Sequence, residues 1–244
     1  MADEQEPGTP SPQPMKVVCF DFGGVLVEIS RSWEEACTRA GFRELVDHGR
    51  ASSMLVASGH AAGFQRGEMG FEEFLLEEAR RLDGRFTEEQ LREVHRHWLI
   101  GEVPGMDGVV DRLNASGVRT ASLSNTDAEH WPTLREMDSI RSLAVQGLSF
   151  EMGLLKPEPG IYHEAELRFD ASAATILFFD DLQENVDAAT RCGWNAIRID
   201  PHEPVTPQVE RGLAAFGVAV GRTGRGLFRG RLRAGGGIHP GDQL

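Results

Sequence analysis

Only three cysteines occur in the 244 residues, Cys19, Cys37 and Cys192, and they lie far apart with no paired spacing. That excludes a disulfide framework and a cysteine-based zinc site, and makes reduced thiols in a cytoplasmic protein the expectation. No apolar run approaches the roughly 20 residues that a membrane-spanning helix needs. The opening stretch MADEQEPGTPSPQP has neither a basic leader nor an apolar segment, so no secretory signal is expected. Positive charge is also short, with 25 Lys and Arg against 38 Asp and Glu and a formal net charge of −13. The first 14 residues hold three of the acids, and residues 221–244 hold five arginines against Asp242, which leaves the intervening chain at −14. So acidic a body repels phosphates, and nucleic-acid binding by the folded part is not expected.

The remaining composition is globular, with 40% hydrophobic and 26% charged residues in a chain long enough for a real core. Residues 1–14 read as a proline-rich tail and 221–244 as an Arg/Gly-rich tail, both disordered by composition. The body, 15–220, opens with Lys16–Phe20, a short apolar run that ends at Asp21 and a glycine pair, the pattern of a buried strand running into a functional turn. From about 30 to 102 the periodicity is helical, with a capping-box pattern at Thr87 and Gln90 and no convincing strand. After Pro104 the chain alternates. A helix through Met106, Val109, Val110 and Leu113 stops at Gly117, and strands are predicted at 118–123, 142–148, 175–179 and 195–199, with helices near 160–169 and 184–191. Such alternation predicts an α/β fold, a doubly wound, mostly parallel sheet of Rossmann-like form.

In open sheets of that kind, ligands bind beyond the carboxyl ends of the strands. Asp21, Ser124 and the pair Asp180 and Asp181 each follow a predicted strand at that end, so residues remote in sequence would meet in one crevice. A carboxylate, a hydroxyl, a lysine before proline (Lys156) and an acidic pair suit phosphoryl transfer, which needs a nucleophile, positive charge and fixed hydrogen-bond donors. Asp21 can be the nucleophile, with Lys156 and Mg²⁺ supplying positive charge. Mg²⁺ takes hard oxygen ligands of the kind that Asp21 and Asp181 offer.

DFGGVLV at 21–27, SNT at 124–126, LKPE at 155–158 and FFDDLQEN at 178–185 stand in the order of the four motifs of the haloacid dehalogenase superfamily, which the sequence resembles over nearly all of 16–200. PGMDGVVDRL, GVRTASLSNT and RGEMGFEEF resemble the subgroup of small bacterial sugar-phosphate phosphatases and the phosphatase domain of soluble epoxide hydrolase. The resemblance implies a core of 15–29 and 103–220 with an α-helical cap, 30–102, inserted after the first motif. It implies that Asp21 forms an aspartyl phosphate and that Asp21, the carbonyl of Gly23 and Asp181 bind Mg²⁺. Ser124 and the amide of Asn125 would hold the phosphoryl group and Lys156 would neutralise it, with Asp180 and Asn185 in support. The function it implies is a phosphatase acting on a small phosphorylated metabolite, with a sugar phosphate as one option.

One position departs from the pattern. Most phosphatases of the superfamily carry a second acid two residues after the nucleophile, to protonate the leaving alkoxide, and here that residue is Gly23. Good leaving groups, such as an anomeric or aryl oxygen, need that proton least. Two other readings stay open: a metal-free dehalogenase, and a catalytically quiet scaffolding domain of the same fold. His130 and Glu28 are remote candidates for the missing acid. His95 and His97, two apart on a helix, point to different sides and read as surface or cap-packing residues. Trp33, Phe71, Phe74 and Trp98 read as cap core.

Overall fold

The computed structural model describes residues 13–46 and 59–219. Apart from residues 13 and 14, the two expected tails lie outside the described residues.

Seven strands are present among these residues: β1 (Val17–Phe20), β2 (Val27–Ile29), β3 (Leu99–Glu102), β4 (Arg119–Ser124), β5 (Val145–Leu148), β6 (Ile176–Asp180) and β7 (Asn195–Arg198). Five form one sheet in the order β5-β4-β1-β6-β7, and every pairing in it is parallel. The alternation of helix and strand required this, because parallel neighbours need a crossover between them. β1 occupies the centre, with Phe20 opposite Ser122 of β4 on one side and Phe179 of β6 on the other.

A central parallel strand is covered on both faces, so its sequence is continuously apolar instead of alternating. Val18 and Phe20 join Leu177 and Phe179 in one core, beneath helices Met106–Ala115 and Val205–Ala215. Val17 and Cys19 join Ile176 and Phe178 in a second core, beneath helices Pro159–Phe169 and Gln183–Arg191. The sheet is therefore doubly wound, as the sequence pattern implied. All three cysteines are free thiols.

Residues 30–102 were expected to be wholly helical, and one element differs. β3 pairs antiparallel with β2 in a two-stranded ribbon. Its four residues, Leu-Ile-Gly-Glu, are partly exposed and carry no β-pattern, since the ribbon takes its order from pairing and not from propensity. The strand expected at 142–148 is shorter, because helix Asp138–Arg141 precedes it and pairing begins only at Val145. Between β2 and β3 stand helices Trp33–Arg39, Gly59–Gln65, Phe71–Arg81 and Glu88–Arg96, with a separate apolar cluster that includes Trp33, Phe64, Phe74, Phe86 and Leu91. Phe71 and Trp98 pack against that cluster from its edge. The predicted capping box is formed: Thr87 N donates to Gln90 Oε1 at 2.9 Å, and Gln90 N to Thr87 Oγ1 at 3.2 Å.

The helical segment touches the core close to the strand ends. Ser149 Oγ donates to the carbonyl of Gln65 at 2.7 Å, and Arg66 pairs with Glu158, two residues beyond Lys156. Gly67 adopts φ +71°, and a Cβ there would lie 2.6 Å from the carbonyl oxygen of Phe150, so only glycine fits this approach.

Candidate active site

Asp21 leaves the end of β1 with its N–H donating to the carbonyl of Phe179 at 2.9 Å, which extends the ladder by one residue and fixes the carboxylate at the sheet's edge. Ser124 ends β4 and Asp180 ends β6, the two strands that flank β1. Lys156 arrives from the loop before helix Pro159–Phe169 and is held by its main chain. Asn125 Nδ2 donates to the Lys156 carbonyl, and Lys156 N donates to Asn125 Oδ1, both at 2.9 Å. Thus the side chain of Asn125 positions the lysine, a task beyond the amide contact that its motif implied.

Lys156 Nζ, on a chain that has one other lysine, is buried 2.9 Å from Asp21 Oδ1 and 2.6 Å from Asp180 Oδ2. Asp180 is saturated: its oxygens also accept from Leu182 N at 2.8 Å and from Asn185 Nδ2 at 3.0 and 3.1 Å. It orients the lysine and has no capacity left over. Asp181, the next residue, is half-buried, and Arg31 Nη1 lies 3.0 Å from its Oδ2. Arg31 is a residue that sequence reasoning missed, since an arginine just before a helix carries no sign of a partner 150 positions away.

Charge crowding shows in the protonation equilibria. Burial, reinforced by Asp180 and Asp181, pushes the Asp21 carboxyl up to about 7, although Lys156 opposes the rise. Asp181 is also raised, by burial and by Asp180, against the pull of Arg31. Burial works against the charge on Lys156, but Asp180 and Asp21 outweigh it and hold the ammonium above its ordinary value.

The donor set fits a hard divalent cation. Carboxylate oxygens of Asp21, Asp180 and Asp181 lie within 4.8 Å of one another. Asp21 Oδ1 is buried with no hydrogen-bond partner beyond its ion-pair contact with Lys156. Gly24, at φ +75°, lets the backbone pass so near Asp181 that a Cβ would stand 2.5 Å from its Oδ2. Since Asp180 is committed, Asp21 and Asp181 are the pair available to an ion.

The other histidine and acid candidates fall elsewhere. Glu28 is exposed on β2, opposite Gly101. Both ring nitrogens of His130 are engaged, Nε2 with the carbonyl of His95 at 2.8 Å and Nδ1 with Asp127 Oδ2 at 3.0 Å. His97 turns away to the carbonyl of Glu93, whereas His95 is not a surface residue: it stacks on His130. Asp127 joins the two, and the sequence offered no reason to single it out.

Residues 15–193 match the haloacid dehalogenase-like hydrolase family, and the chain belongs to it. It is therefore a hydrolase. A predicted family hydrolase from Porphyromonas gingivalis superposes with a TM-score of 0.68 at 24% identity, covering 82% of this chain and 98% of that one. A family enzyme from Bacteroides thetaiotaomicron, solved in complex with magnesium and inorganic phosphate, gives 0.62 at 19%, covering 78% and 96%. Acyl-CoA dehydrogenase family member 10 of Mus musculus is 24% identical over 225 residues, which are 84% of this chain and 20% of that protein. The chain thus spans about a fifth of that curated relative. At these identities the structural likeness is one of fold.

Proposed function

We propose that the chain is a Mg²⁺-dependent phosphatase of small phosphorylated metabolites, with residues 30–102 as a cap that shapes substrate choice. The observation that carries this reading is the cluster at the centre of the sheet: three carboxylates within 4.8 Å, with the buried Lys156 bridging Asp21 and Asp180. Carboxylates so close repel one another and any phosphate unless cations offset them. A metal-free displacement of halide from carbon gives Asp181 no task. The magnesium and phosphate held by the B. thetaiotaomicron enzyme lend support by analogy of fold.

Asp21 Oδ attacks phosphorus in line with the leaving oxygen, forming the carboxyl–phosphoryl bond as the ester P–O bond breaks; water then attacks the aspartyl phosphate and frees Asp21 and inorganic phosphate. Lys156, fixed by Asn125 and Asp180, keeps a positive charge beside nucleophile and phosphoryl oxygens. Ser124, at the end of the neighbouring strand, donates its hydroxyl to a phosphoryl oxygen, as does the amide of Asn125. Asp21, the Gly23 carbonyl and Asp181 would hold Mg²⁺, which when bound supplies positive charge that favours the ionised nucleophile. Gly23 offers the leaving group no proton, so substrates that leave as stable anions are favoured. Rates on p-nitrophenyl phosphate should exceed those on glycerol phosphate in kcat/KM and vanish with EDTA. Equal efficiency on the two would refute the leaving-group argument, and turnover indifferent to EDTA would refute the role of the cation.

A further inference from the structure

Away from Asp21, the carboxylate of Asp127 joins two histidines from different parts of the chain. His95 lies in the last turn of helix Glu88–Arg96, while Asp127 and His130 follow directly on Ser124 and Asn125. Asp127 Oδ1 is committed to its own turn, accepting from the N–H groups of Glu129 at 3.0 Å and His130 at 2.8 Å. Its Oδ2 faces His130 Nδ1 at 3.0 Å and His95 Nε2 at 3.3 Å. The imidazoles stack with centroids 3.7 Å apart and planes 5° from parallel, and Phe64, Phe71 and Phe74 surround His95. The side chains of His95, His130 and Asp127 are only 13%, 12% and 6% exposed.

The hydrogen bonds fix the charge. His130 Nε2 meets the His95 carbonyl, which can only accept, so Nε2 carries a hydrogen. A bare Nδ1 would then set two acceptors 3.0 Å apart, whereas a second hydrogen makes a charge-assisted bond to Asp127. A metal ion in its place is poorly served, since parallel rings cannot both aim an in-plane lone pair at one ion.

We propose that His130 is a positioning residue, whose imidazolium latches the helical segment to the loop bearing Ser124 and Asn125 by bonding the His95 carbonyl through Nε2 and the His95 partner Asp127 through Nδ1, and that loss of the Nδ1 proton sets a lone pair against Asp127 Oδ2 and loosens the latch. The loop's catalytic meaning rests on the phosphatase reading; the latch does not. The charged groups facing His130 are Asp127 and Glu129 from its own segment and His95 from the helix, with Arg92 one turn earlier over the ring of Phe71. Burial disfavours the charge on His130, but Asp127 outweighs it and raises its pKa. Burial and the neighbouring imidazole lower that of His95, and the two histidines hold Asp127 well below the usual carboxylate range although burial opposes them. With the folded value above the unfolded one of about 6.5, the latch is fully present below that unfolded value and is lost as pH rises through the folded value.

Nitrogen-15 NMR of the imidazoles in the full chain tests this, together with hydrogen exchange of helix Glu88–Arg96. At pH 6.5 both His130 nitrogens should be protonated. Deprotonation above that pH should lower the helix's protection factors at least about tenfold, the worth of one charge-assisted hydrogen bond. Asp127→Asn should bring the His130 pKa to 6.5 or below and leave Mg²⁺ binding at Asp21 intact; if that variant does not fold, the wild-type titration decides alone. A bare Nδ1 at pH 6.5, protection indifferent to the titration, or stoichiometric Zn²⁺ displacing the Nδ1 proton at pH 7 would overturn the latch. A titrating latch in a protein that hydrolyses no phosphate ester would overturn the phosphatase reading and leave the latch standing.

Discussion

A methyl group on Gly24 would stand 2.5 Å from Asp181 Oδ2, in a backbone conformation that side chains rarely adopt. Gly24→Ala therefore meets steric and backbone strain together, of roughly 1–3 kcal/mol, and must displace Asp181 to fold. Urea denaturation should show a loss of that size, and calorimetric titration should show Mg²⁺ affinity reduced about tenfold or more; unchanged affinity would separate Asp181 from the ion. Gly23 is different, because a Cβ there meets only the mobile end of Ile29 at 2.9 Å. Asp21 sets the pH dependence. Its carboxyl is raised from an ordinary value of 3.8 to about 7, chiefly by burial, so between those values the folded chain binds a proton that the unfolded chain releases. Stability of the metal-free protein should fall as pH rises through that window, and Mg²⁺ should raise Tm more at pH 8 than at pH 5. A Tm gain that shrinks with pH would contradict the assignment.

Among the elements, the ribbon of β2 and β3 holds the neck of the helical segment, which has four α-helices among its described residues, and is closed by Ser30 N donating to the Trp98 carbonyl at 2.9 Å. The last of these helices carries His95 and begins at the Thr87 capping box. Thr87→Ala should destabilise it by about 1 kcal/mol, read as faster hydrogen exchange in Glu88–Arg96 with sheet protection unchanged; equal losses in both would mean that segment and core unfold as one unit. Helices Met106–Ala115, Pro159–Phe169 and Gln183–Arg191 were legible because glycine stops and apolar spacing are local signals, whereas helix Val205–Ala215 was not predicted. β3 was not legible, since a short half-exposed strand is defined by the partner it meets 75 residues earlier, Val27 opposite Glu102. Arg31 and Asp127 were illegible for the same reason: their partners, Asp181 and His95, are remote in sequence and close only in space.

At the scale of the whole molecule, parallel order and strand polarity bring the candidate site residues together. Asp21, Ser124 and Asp180 could be read as neighbours from sequence because each ends a strand and the ends of parallel strands share one edge. How Lys156 is held, by Asn125 on its main chain and by two carboxylates on its ammonium, needed the folded chain. The most direct test of the account is acid quenching during turnover of a phosphorus-32-labelled ester with Mg²⁺, followed by peptide mapping. Label should appear on the peptide containing Asp21 and be lost in Asp21→Asn along with turnover. Full hydrolysis by Asp21→Asn, or label on any other residue, would contradict it.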